Sequence, residues 1–140
     1  MLLWRGIAAY LEAAGTDYLF GCASFPGTDP DRIATELTYL HHHHRSPIGV
    51  RTRPELYVPL NRTDARLVDE RRAWRDLPPL IRGYLQAGAS VGDGAYIDRQ
   101  FDTVDVFMIV ATGAIRDRYR ARFGSAVEPD RASARDASKP

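Results

Sequence analysis

The four histidines of this chain stand side by side at His41–His44. Such a run offers a metal site, a base for an amine, or side chains that close a helix. On a helix His41 and His44 fall at i, i+3 while sequence neighbours point apart, so at most two imidazoles share a face. Zinc would need further ligands, and no HExxH, CxxC or histidine–carboxylate spacing supplies them. No metal site is therefore expected. An affinity tag would be longer and terminal. An imidazole titrating near ~6.5 can relieve an amine of its proton, which makes His41 a substrate-site candidate. The plainer role is contact with the last carbonyls of a helix.

Three carboxylates carry the next chemistry: Asp93, Asp98 and Asp105. Asp93 lies in Gly-Asp-Gly, where aspartate is favoured by turn geometry alone. Asp105 opens an apolar run and reads most simply as a strand-end carboxylate in water. Asp98 reads as mid-strand, where aspartate is disfavoured, so it is the strongest functional candidate of the set. Tyr84 carries a phenol able to give a proton to a leaving group, although Leu80, Ile81 and Leu85 place it on an apolar helical face. Ser24, Phe25 and Gly27 are read as following a strand, where loops often carry function. Gly27 suits close backbone approach or a simple turn. Cys22 sits in an apolar strand without a nearby base, and covalent catalysis through it is not expected.

These groups need elements to position them. Leu3, Ile7, Tyr10 and Leu11 predict a helix ending at Gly15. It lacks the usual Ser, Thr, Asp or Asn cap, which suggests a chain opening inside a helix. Residues 17–24 predict a strand, and "FPGTDPDR" a turn with Asp29 as a cap. Ile33, Leu37 and Leu40 predict a helix that ends in the histidines. "IGVRTRPELYVPL" is extended, confined by its prolines to an edge or a long loop. Leu67, Arg71 and Trp74 predict a charged helix with a narrow apolar seam. Pro78 and Pro79 open another, with Leu80, Ile81, Tyr84 and Leu85 on one face and Gly88 at its end. "GDGAYIDRQF" reads as a turn entering a strand, residues 104–110 as a strand covered on both faces, and "DRYRARF" as a short helix. After Gly124 the apolar content is too low to order the chain. Alternating helices and strands predict an α/β or α+β fold.

At 140 residues, 44% hydrophobic and 26% charged, the chain suits one ordinary globular domain. A formal charge of +1 gives no field that would gather nucleic acid. One cysteine forms no internal disulfide, which fits a reducing compartment. Arg5 and Glu12 interrupt the first apolar run, so neither a signal peptide nor a bilayer span is expected.

Three blocks carry a family likeness: "LLWRGIAAYL…YLFGCASFPGTDP", "LHHHH", and "LPPLIRGYLQAGASVGDGAYIDRQFDTVDVFMIV". Together they resemble the C-terminal half of the ornithine–acyl-carrier-protein N-acyltransferases, also called hemolysin-like acyltransferases, of the GNAT superfamily. The likeness runs from about Leu2 to Phe123. It implies a partial GNAT-like domain over residues 1–123, a mixed sheet flanked by helices and lacking its N-terminal strands, followed by a disordered tail over 124–140. The glycine-containing pyrophosphate loop of coenzyme-A-dependent relatives has no counterpart here.

The implied reaction moves a 3-hydroxy fatty acyl group from acyl carrier protein to the α-amino group of L-ornithine, giving lyso-ornithine lipid. No cofactor is implied beyond the donor's phosphopantetheine arm. The reaction needs a neutral amine, oxyanion donors and a proton for the leaving thiolate. By resemblance Tyr84 is the proton donor, and Asp98, on its strand position, is the candidate catalytic carboxylate. Ser24, Phe25, Gly27, His41, Asp93, Phe101 and Asp105 are substrate-contact candidates, with a carboxylate holding the δ-ammonium or taking the α-amine proton. Arg5, Arg82 and Arg99 are candidates for contact with the acidic carrier protein. A cytoplasmic protein, peripheral to the inner membrane through its lipid product, is implied. A half-sheet would expose a strand edge, so homodimerisation or aggregation is expected. The competing readings are a non-catalytic module that binds carrier protein or a partner subunit and, more remotely, a histidine-cluster metal protein.

Overall fold

The computed structural model describes residues 2–123. The tail expected over 124–140 lies outside the described residues, as does the side chain of Arg5. The chain begins with helix α1 (Leu2–Ala14), which closes on Gly15 at φ +60°. Leu11 is buried whereas Tyr10 is 70% exposed, so the inward stripe is narrower than the periodicity suggested. Strand β1 (Tyr18–Pro26) follows, then a 3-10 turn (Pro30–Ile33) and helix α2 (Ala34–His43). Asp29 caps that turn by accepting from the Asp31 amide at 3.0 Å, as its position predicted.

The helix expected through Leu67 and Trp74 is divided. A 3-10 turn (Ala65–Leu67) and helix α3 (Glu70–Asp76) are separated by extended Val68. The division has a local cause: Asp64 caps the first piece and Asp69 the second, each with its own carboxylate. Leu67 is consequently 78% exposed rather than part of a seam. Helix α4 (Pro79–Gln86) starts at its prolines, with Ile81 and Leu85 facing inward at i, i+4 spacing. Leu80 lies off that stripe and is exposed. Gly88, at φ +100°, lets the chain leave α4.

Strands β2 (Ser90–Asp98) and β3 (Thr103–Ala111) form a hairpin, and helix α5 (Thr112–Phe123) ends the described chain. The sheet order is β1-β3-β2, with both pairings antiparallel. An α/β fold is therefore present and is compatible with part of a GNAT-like domain. The expected mixture of strand directions is confined to isolated parallel bridges, Arg45 to Val91 and Arg51 to Asp93. Through these and an antiparallel bridge from Val58 to Ala95, the proline-rich segment runs beside β2 as an edge strap. On the opposite side, no described segment pairs with the outer edge of β1.

Alternation assigns the two sheet faces. Ala23 and Phe25 of β1 share a face with Val104, Val106 and Met108 of β3 and with Ala95 of β2. Leu37 and Leu40 of α2, Leu60, Leu77 and Ile81 complete this core. The other face carries Phe20, Cys22 and Ser24 beside Asp105 and Phe107, and its β1 residues are exposed. The hairpin tip is tied to the exit of β1 by the Gly27 amide, which donates to the Asp102 carbonyl at 2.8 Å.

Candidate functional site

The sequence candidates divide into two groups on the sheet and several residues with plainly structural positions. Ser24 and Phe25 lie within β1 rather than after it. Phe25 is buried in the core, so its ring supports packing and does not reach the open face. Gly27 has φ +87° and open space where a Cβ would stand, the signature of a turn rather than of close approach. Phe101 is 72% exposed at the hairpin tip.

Asp98 is not mid-strand. It ends β2, and its Oδ1 accepts from the amides of Gln100 at 2.9 Å and Phe101 at 3.1 Å. A carboxylate that closes a hairpin turn has a backbone reason to be there. The mid-strand argument for Asp98 therefore lapses.

Asp93 sits in a bulge: β2 and β3 lose register between Val91 and Ala95. Gly94, at φ +89°, makes the bulge possible and leaves room for the Tyr57 ring. The freed Asp93 backbone bonds to the strap instead, its amide to Val50 and its carbonyl to Thr52, both at 2.9 Å. Its carboxylate accepts from Tyr57 Oη at 2.9 Å and lies 3.7 Å from Arg45. Arg51 stacks over the Tyr57 ring at 5.2 Å. Burial, followed by the bond to Asp93, raises the Tyr57 phenol above its ordinary pKa. Gly-Asp-Gly discloses the backbone device but not Tyr57 and Arg51, which arrive from the segment expected to be an extended edge or long loop, nor Arg45, which directly follows the histidines.

The histidines have separate surroundings. His42 meets Asn61 at 3.2 Å, His43 meets Glu70 at 3.1 Å, and His44 meets the Tyr39 hydroxyl at 3.2 Å. His41 Nδ1 is buried without a hydrogen-bond partner. Burial depresses the His41 pKa, Arg45 and His42 add to this, and Asp93 opposes it. No cluster of metal-ligating side chains occurs among the described residues.

Asp105 belongs to the open face and is not a strand end in water. It lies in register with Ser24 of β1 on one side and Tyr96 of β2 on the other. Its Oδ1 is buried and accepts no hydrogen bond, and Thr103 Oγ1 is in the same condition. Cys22, read as a buried strand thiol, is exposed on this face. Burial, then the Asp105 charge, raises its pKa, which weakens it further as a nucleophile. Beside it Phe20 and Phe107 stack at 5.7 Å. The face thus grades from aromatic to polar within a few residues.

Tyr84 lines an apolar cavity of about 280 Å³ with Leu19 and Cys22 of β1, Met108 of β3 and Ile115 of α5. Its ring also packs against the core. Arg82 lies on α4 and Arg99 at the hairpin tip. No helix among the described residues is long and apolar enough to cross a membrane.

Comparison with known proteins agrees with the expected family. The chain is 42% identical over 126 residues to a protein of Rhizobium meliloti (strain 1021) named L-ornithine N(alpha)-acyltransferase, a match covering 89% of this chain. Proteins of the same name from Rhodobacter capsulatus and Brucella abortus are 38% and 40% identical over 91% and 89% of the chain. The chain spans 43–49% of the length of these relatives, so the match is to part of that family's sequence. No family model matches, and no solved structure matches.

Proposed function

We propose that this chain is the C-terminal half of an acyltransferase that moves a 3-hydroxy fatty acyl group from acyl carrier protein to the α-amino group of L-ornithine. The observation that carries the reading is the 36–42% identity to L-ornithine N(alpha)-acyltransferases over nine-tenths of the chain. The geometry is consistent with it. An apolar cavity lined by β1, β3 and helix residues suits a fatty acyl chain, and Tyr84 on its wall suits protonation of the leaving thiolate. The transfer is direct: the neutral amine attacks the thioester carbonyl, the C–S bond breaks, and the amine proton is lost as the thiolate gains one. Backbone groups along the β1 edge are available to the pantetheine arm. The lipid product would bring the protein to a membrane surface.

The test is lipid analysis of a bacterial host that lacks ornithine lipids and expresses the full reading frame containing this chain. The expected result is lyso-ornithine lipid with an amide-linked 3-hydroxyacyl group, reduced by Tyr84→Phe. A host whose lipids are unchanged while folded protein accumulates would favour a non-catalytic module that binds carrier protein.

A further inference from the structure

The proposed reaction needs an acceptor recognised by its side chain, and two of the three candidate carboxylates are already engaged: Asp93 by Tyr57 and Arg45, Asp98 by two turn amides. Asp105 differs. One of its oxygens is buried and has no donor, two residues along β3 from Thr103, whose hydroxyl is also buried and unpartnered. Alternation puts both on the open face of the sheet, with exposed Ser24 directly opposite Asp105. Cross-strand neighbours of this kind have Cβ atoms about 5 Å apart. A desolvated carboxylate oxygen without a donor is costly, so the site is built for a group that brings donors and positive charge. A primary ammonium brings three N–H donors and no acceptor, matching the acceptors of Asp105, Thr103 and Ser24.

We infer that Ser24, Thr103 and Asp105 form a subsite for the side-chain ammonium of a diamino-acid acceptor, an inference that rests on the function proposed above. The carboxylate suits the non-reacting nitrogen rather than the nucleophile. A negative partner favours the protonated amine, whereas attack on a thioester requires the neutral one. The aromatic pair Phe20–Phe107 lies on the same face beyond Cys22 and offers apolar surface next to the polar row.

The test compares binding of L-ornithine with L-norvaline, which has the same carbon chain without the ammonium, by calorimetry on the full-length protein. Wild type is expected to bind ornithine about 10- to 100-fold more tightly. Asp105→Asn should abolish that preference by weakening ornithine alone, leaving norvaline unchanged. Ser24→Lys, at an exposed position, places a fixed ammonium in the same row and should block ornithine even if Asp105→Asn fails to fold. A wild type without preference, an Asp105→Asn protein that keeps it or loses affinity for both ligands alike, or a Ser24→Lys protein that binds ornithine normally would overturn the subsite. These readings do not depend on turnover, so a protein that prefers ornithine but acylates no amino acid would refute the proposed function and leave the subsite standing.

Discussion

The Tyr57 hydroxyl donates to Asp93 Oδ1 at 2.9 Å across a separation of 36 residues, joining the edge strap to the β2 bulge. The bond works together with the strap's backbone bridges and with Gly94, whose missing side chain admits the Tyr57 ring. Tyr57→Phe should cost about 1 kcal/mol, the ordinary net value of one hydrogen bond. Gly94→Ala should cost at least about 2 kcal/mol, because it adds a clash with that ring to a left-handed backbone. Urea denaturation of both variants checks the order, and equal losses would show that the ring is free to move aside.

His41 and His44 both have pKa values depressed chiefly by burial. The folded state therefore favours their neutral forms, and the unfolded chain takes up protons first as pH falls. Their stabilising contribution is complete above the unfolded value near ~6.5 and is lost as pH drops through it toward the folded values. The melting temperature should fall between about pH 7.5 and 5.5, and the fall should be shallower in His41→Asn/His44→Asn. An identical slope in the double variant would exclude these rings as the cause.

Cys22 lies on the open face with its thiol pKa raised by burial and by Asp105. Iodoacetamide should react with it more slowly at about pH 8 than with a small free thiol, because less thiolate is present. Asp105→Asn removes the nearby negative charge and should accelerate alkylation. A slower or unchanged rate would mean that Asp105 does not face the thiol.

The outer edge of β1 is unpaired among the described residues, and Phe20 beside it is 71% exposed. Such an edge pairs readily with a second chain. The purified chain should self-associate with rising concentration, and Phe20→Lys should reduce this in light scattering. A monomer at all concentrations would argue that the edge is protected.

Much of the architecture was legible because local chemistry and tertiary packing agree. Gly15 and Gly88 end helices, Pro78 and Pro79 open one, and residues 104–110 form the central strand. What escaped has physical reasons. Asp64 and Asp69 look like ordinary charges on a helix until each caps its own piece. Asp98 and Asp105 differ by which one meets backbone amides, and that depends on the exact hairpin boundary. A shift of a few residues in that boundary exchanged a turn cap for a desolvated acceptor. The Tyr57–Asp93 contact was invisible because strap and bulge approach only through the folded sheet.

The most direct measurement is the reaction itself: purified full-length protein, 3-hydroxyacyl carrier protein and L-ornithine, with products read by mass spectrometry. The expected product is an Nα-(3-hydroxyacyl)ornithine, formed together with free carrier-protein thiol. Folded protein that leaves both substrates intact, or transfers the acyl group only to water, would contradict the proposed function.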